Sequence, residues 1–169
     1  MTMKHYGIDA DRLNAMRARE DAVFMERTVT SQRLHERGKG SMPCGVPLQW
    51  MVGLYRHPPI HVTSGEGAHF EDADGNRYLD MNLADLAAFL GFAPPAITRA
   101  VADRARLGAS FLLPCEDGIA ACELLAAKTG MPFWQFSGSA SAANTEALRI
   151  ARFATGRERI VTFEGRYHG

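Results

Sequence analysis

Net charge is absent from this sequence: 19 Lys and Arg stand against 19 Asp and Glu. That balance gives no electrostatic footing for nucleic acid or an anionic membrane surface, both of which require clustered basic side chains. Long apolar runs are absent too. No stretch approaches the ~18–20 apolar residues that a membrane-spanning helix needs. The opening residues Met1-Thr2-Met3-Lys4-His5-Tyr6 lead into charged sequence and not into the apolar core of a signal peptide. The cytoplasm is the expected location. Cysteine is scarce. Cys44, Cys115 and Cys122 are odd in number and lack both C-x-x-C spacing and a histidine at ligand spacing. They read as reduced structural thiols, and neither a disulfide framework nor a metal site is expected. Lysine is confined to Lys4, Lys39 and Lys128. Also missing are the G-x-x-x-x-G-K-[ST] phosphate loop, the G-x-G-x-x-G dinucleotide fingerprint and the G-x-S-x-G nucleophile elbow.

What is present is ordinary globular sequence, 46% hydrophobic and 22% charged over 169 residues, enough for one modest domain with a core. Residues 9–37 carry a helical pattern with Asp9 or Asp11 as N-cap and a small-apolar stripe of Ala15, Ala18, Ala22, Met25 and Val29. That stripe suits packing on the chain itself as well as it suits a partner. The Gly- and Pro-containing stretch Arg37–Pro47 reads as a loop, serving either close approach or simple linkage. Ile60–Asp80 then alternates, with turns at Gly65-Glu66-Gly67 and Asp74-Gly75, and predicts a small antiparallel meander. Asp72, Asp74 and Asn76 suggest a calcium loop, but the sixth and twelfth positions are Arg77 and Leu83, where such a loop needs glycine and glutamate. Helices are expected from Pro94 to about Leu107 and over Glu116–Lys128, each stopped by a glycine.

The last segment carries the chemistry. Phe133–Phe136 reads as a buried strand, and Ser137-Gly138-Ser139-Ala140-Ser141 as an elbow of small side chains. A helix follows over Ala142–Thr155, stopped by Gly156, and then a β-branched strand over Arg159–Phe163. A strand feeding a helix through a hydroxyl-rich elbow aims free N–H groups and a positive helix end at one point, which suits a phosphate. The alternative is an ordinary helix cap, with Ser141 closing the helix start. Arg149, Arg152 and Arg157 read as solvated charges and local ion pairs. The expected fold class is α/β: an N-terminal helix, an antiparallel meander and one β-α-β unit. Its divisions fall at residues 1–45, 46–130 and 131–169.

These residues resemble a family. Trp134–Asn144, Ala147–Arg152, Thr155-Gly156-Arg157 and Phe163-Glu164-Gly165-Arg166-Tyr167-His168-Gly169 are similar to class III aminotransferases, a pyridoxal-phosphate-dependent group that includes glutamate-1-semialdehyde aminomutase. So is the Gly65–Asp80 hairpin with its Asp-x-Asp-Gly core. The resemblance covers roughly residues 45–169. It implies the start of a fold type I large domain, a pyridoxal 5'-phosphate cofactor and a homodimer. It also implies transfer of an amino group between an amino acid or amine and a keto acid. An aminomutase, an ammonia-lyase or a non-catalytic relative are the alternatives. The cofactor-binding residues it implies are Ser139, Ala140 and Ser141 around the phosphate, Tyr167 stacked on the pyridine ring, and His168 at the ring's edge.

Three positions depart from the family pattern. Ala140 stands for the elbow glycine, Ala142 for an acidic residue in the first helical turn, and Phe92 for the histidine of a Gly-His pair. The family's Schiff-base lysine and the aspartate facing the pyridine nitrogen have no counterpart here, so no catalytic residue is expected among these residues. The resemblance therefore implies an N-terminal portion that is inactive by itself, with apolar surface left exposed.

Overall fold

The computed structural model describes residues 9–53 and 56–165. They fall into two compact units that divide between Ala109 and Ser110. The architecture is mixed, with helices and one small antiparallel sheet. No helix among the described residues is long and apolar enough to cross a membrane.

The first unit opens with α1 (Ala10–Arg27), whose N-cap is Asp9: its carboxylate accepts from the N–H groups of Asp11 and Arg12. The helical pattern expected to run on to residue 37 breaks at Thr28, and α2 (Val29–Gly38) starts anew. Two causes act there. The Thr28 hydroxyl donates back to the Phe24 carbonyl at 2.8 Å, a bond that bends helices. The first N–H groups of α2 are also claimed from outside. The small-apolar stripe stays exposed, with Val29 at 63%. The face turned inward is instead Thr28, Ser31 and His35, all buried. A 3₁₀ turn (Pro43–Gly45) and a short α3 (Trp50–Gly53) follow. Glycine in this stretch serves close approach of the chain to itself: a Cβ on Gly45 would lie 2.7 Å from the His35 carbonyl oxygen.

The meander comprises β1 (Val62–Glu66), β2 (His69–Asp72) and β3 (Arg77–Leu79), antiparallel in that order. Phe70 pairs with Tyr78 across β2 and β3, and their rings stack at 5.1 Å. Phe92 meets Phe70 edge-on at 6.2 Å. Its ring also covers Gly65, where a Cβ would sit 2.7 Å from a ring carbon.

The turn between β2 and β3 joins the sheet to the helices. Asp72, 1% exposed, accepts from the N–H groups of Asp74 (2.9 Å) and Asn76 (2.8 Å), the Asn76 amide, and the Tyr78 hydroxyl (2.8 Å). Asp74, thus aimed, accepts from the N–H groups of Thr30 and Ser31 and caps α2, whose own N-cap residue Thr28 makes no side-chain cap bond. Asn76 accepts from the Arg27 guanidinium and donates to the Arg27 carbonyl at 2.8 Å. The Ser31 hydroxyl in turn accepts from the His61 N–H at 3.1 Å.

Beyond β3, Asp80 opens a loop that returns at Phe92. Its carboxylate accepts from the N–H groups of Asn82, Leu83 and Ala84 at 2.8, 2.9 and 3.0 Å. Leu83, Ala84, Asp85 and Leu86 all have left-handed φ, between 46° and 70°, a conformation costing about 1–2 kcal/mol for each such residue. Helix α4 (Pro95–Arg106) follows, with proline in its first turn.

The second unit contains α5 (Glu116–Thr129) and α6 (Ala140–Thr155), stopped by left-handed Gly130 and Gly156 at φ 74° and 66°. These match the expected helices. The two flanking strands expected near 134–137 and 159–163 do not form among the described residues, so the β-α-β unit is present as its helix alone. A strand exists through its ladder partners, and buried parallel strands need neighbours and covered faces. Here neither segment has a partner, and Phe133, Val161 and Phe163 are 91%, 95% and 86% exposed.

Burial pushes the Asp72 carboxyl up, but its hydrogen bonds from Asn76, Tyr78 and Asp74 outweigh burial and hold it below the usual carboxylate range. Burial, then the bond to Asp72, pushes the Tyr78 phenol up to about 12. A lowered carboxyl adds stability above its unfolded pKa of about 3.9, lost as pH falls through the folded value. A raised phenol adds stability below its unfolded pKa of about 10, lost as pH rises through about 12. Thermal melts across pH should show both limbs. Asp72→Asn should cost roughly 1–3 kcal/mol at neutral pH and flatten the acid limb, and Tyr78→Phe should flatten the alkaline one.

Candidate functional site

The elbow is built from Ser137 to Ser141. Ser139 is extended (φ −161°, ψ 161°) and is the N-cap of α6, its Oγ accepting from the Ala142 N–H at 3.1 Å. The Ser139 carbonyl accepts from the Ala143 N–H at 2.9 Å, closing the first turn, and the Ser137 hydroxyl donates to the same carbonyl at 3.3 Å. The cap is therefore Ser139, and the expected cap Ser141 sits inside the first turn. The Thr145 hydroxyl donates to the Ser141 carbonyl at 2.9 Å.

Besides the cap's own N–H, two N–H groups remain at the helix start, those of Ala140 and Ser141, which no preceding helical carbonyl can satisfy. The first turn holds no acidic side chain. Its field is therefore the positive end of the helix, unopposed. Every residue from 137 to 145 is exposed. The arrangement offers backbone N–H donors and small hydroxyls, with room for an anion to approach.

The structure thus brings Ser139, Ala140 and Ser141 together at one helix start. Tyr167 and His168, expected at the ring of a cofactor, lie outside the described residues. Ala142 occupies the third helical position, where a Ser-x-x-Glu arrangement would let an acidic side chain reach back to the cap's own N–H; with alanine that half of the box is lost. Phe92 serves the meander, as the cover of Gly65. Arg149 pairs with Glu146 at 3.1 Å and the Arg152 Nε donates to the Glu158 carbonyl at 3.0 Å, the local roles expected of them.

Three features escaped the sequence reading. The helix cap supplied by Asp74 could be suspected only from the two carboxylates flanking one turn. The Asp80 brace has an Asp-x-Asn signal, easily taken for a plain strand end. The third ties α1 to residues 56–57: Asp21 meets Arg56 at 3.0 Å and the His57 Nε2 at 3.3 Å, with His57 stacked on Phe24 at 4.4 Å.

The profile of the aminotransferase class-III family matches residues 53–169. A glutamate-1-semialdehyde 2,1-aminomutase of Chloroflexus aggregans is 39% identical over 150 residues, 87% of this chain and 34% of that protein. The crystal structure of a glutamate-1-semialdehyde-aminomutase from Pseudomonas aeruginosa PAO1 superposes with a TM-score of 0.88 at 35% identity, covering 97% of this chain and 36% of the other. A variant of that protein was solved in complex with PMP. A beta-phenylalanine aminotransferase from Variovorax paradoxus gives a TM-score of 0.83 at 30% identity, with 90% and 35% covered. The chain spans about a third of the length of the relatives it matches.

The cap geometry makes a direct prediction. Ser139→Ala should cost about 1 kcal/mol of α6 stability. Ala142→Glu should add roughly 0.3–1 kcal/mol by completing the box and complementing the helix dipole. Amide hydrogen exchange along α6 reads both changes.

Proposed function

The chain belongs to the class-III aminotransferases, and on that premise we propose that its elbow forms the phosphate end of a pyridoxal 5'-phosphate site. The observation that carries this reading is the start of α6, where Ser139 caps the helix, the Ala140 and Ser141 N–H groups have no preceding helical carbonyl and the first turn holds no acidic residue. That donor set fits a phosphate dianion. Ser139, Ala140 and Ser141 hold and orient the phosphate through backbone N–H groups and hydroxyls. By the family resemblance, Tyr167 would cover the ring face and His168 its edge, excluding water from that side. Bound pyridoxal phosphate supplies an electron sink for negative charge at the amine-bearing carbon of the substrate.

The whole polypeptide, on this reading, moves an amino group between an amino acid or amine and a keto acid, acts as a homodimer and resides in the cytoplasm. The names of relatives at 39% and 35% identity also support an aminomutase, which would run on the same phosphate anchor. These 169 residues bind at the phosphate end and do not turn over substrate. Lys39 is bonded to Glu36 at the end of α2, and Lys128 sits in the last turn of α5; both are exposed. Neither is buried in the way that tunes an amine for covalent chemistry.

Two measurements test this. Titrating the isotopically labelled protein with pyridoxal 5'-phosphate should shift the Ala140 and Ser141 amide resonances saturably, as should inorganic phosphate, whereas pyridoxal lacking the phosphate should not. Silent amides would remove the phosphate assignment. Borohydride treatment in the presence of pyridoxal 5'-phosphate should trap no stoichiometric adduct at a single lysine. One stoichiometric adduct on Lys39 or Lys128 would contradict the account of a chain that anchors but does not react.

A further inference from the structure

The loop from Asp80 to Phe92 has a closed neck. The Asp80 N–H donates to the Ala68 carbonyl at 2.9 Å, and Phe92 exchanges hydrogen bonds with Gly67 at 2.7 and 3.1 Å. Both ends are thus fixed to neighbouring residues of one turn, the arrangement of an Ω-loop. Inside the neck, Leu83 to Leu86 run left-handed without a glycine among them. L-residues visit this region singly and not in runs, so something must hold them there. Among the described residues, the carboxylate bonded to this backbone is that of Asp80, which takes the N–H groups of Asn82, Leu83 and Ala84 together. Charge-assisted bonds of this kind are roughly twice as strong as neutral ones.

The segment also has a neighbour of consequence. Ala84 lines an apolar cleft of about 610 Å³ together with Phe24, Trp50, Met51, Ile60 and Phe70. Leu86, Phe89 and Leu90 of the same loop are 69%, 68% and 63% exposed, so little packing opposes a change of backbone hand. The left-handed turn between these fixed ends is held by the three bonds to Asp80 and by the Ala87 and Ala88 N–H groups, which donate to the Ala84 and Leu83 carbonyls at 3.1 and 3.0 Å.

We propose that residues 81–91 form a two-state strap, in which the Asp80 carboxylate holds a left-handed turn that keeps Ala84 in the wall of the apolar cleft. Release of the carboxylate lets the strap relax and takes that wall away. Anything that fills the cleft against Ala84 selects the held state and is opposed by the relaxed one. Asp80 is a positioning residue here, acting through the backbone it grips.

Amide hydrogen exchange on the intact chain tests the strap independently of any cofactor. In the wild type the Asn82, Leu83 and Ala84 amides should be protected. Asp80→Asn should accelerate their exchange by about tenfold or more, with the β1–β2 amides unchanged, as expected for a local opening. Ala84→Gly and Leu86→Gly should raise the melting temperature and slow exchange at these amides, because glycine carries no penalty in the left-handed region. Combining Asp80→Asn with Leu86→Gly should restore much of the protection. Unchanged protection in Asp80→Asn would overturn the proposal. So would glycine variants that melt lower, the usual effect of glycine where no strain is relieved.

Discussion

The first unit depends on one buried carboxylate, because what lies inside it is chiefly polar. Among the described residues Val46 is the buried hydrophobic side chain, while Thr28, Ser31, His35 and Asp72 are the buried polar ones. Asp72 draws the β2–β3 turn together, and that turn presents Asp74 to the start of α2 and Asn76 to the end of α1. A carboxylate can do this only when its lone pairs are filled by well-directed donors, since burial otherwise raises its cost steeply. Here Asp74, Asn76 and Tyr78 supply them. The start of α2, the position of Ser31 and the path of residues 60–62 are tied to that turn.

Much of this was legible in the sequence wherever a local signal decides the outcome. Gly130 and Gly156 stop α5 and α6 in the left-handed conformation, as their positions after apolar helical patterns imply. Asp9 caps α1, Pro95 sits in the first turn of α4, and the meander falls between Val62 and Leu79. What the sequence hid was decided at a distance. The α1–α2 break combines the local Thr28 bond to the Phe24 carbonyl with a carboxylate 44 residues away, and the distant half leaves no trace in the periodicity of 9–37. The inward face of those helices is polar, and the small-apolar stripe is left exposed, so of the two readings the stripe allowed, packing within this unit is the one not realised. Phe133–Phe136 and Arg159–Phe163 have strand composition but no ladder partner among the described residues, and composition cannot supply one.

The site was legible in part. The small-residue elbow and the helix behind it came through as expected, and the family match over residues 53–169 coincides with the motifs that suggested it. The cap shifted from Ser141 to Ser139 because the helix begins earlier, at Ala140. That shift matters chemically. It leaves the Ser141 N–H in the first turn as a donor, and it identifies Ala142 as the position whose missing carboxylate leaves the helix end more positive. On the proposed reading, a helix start without this acid remains suited to an anion.

A crystal structure of this chain grown with pyridoxal 5'-phosphate is the most direct measure of the account. The phosphate should lie at the start of α6, with its oxygens about 2.8–3.2 Å from the Ala140 and Ser141 nitrogens. Phosphate density elsewhere, with the α6 start left to solvent, would contradict the assignment of the elbow.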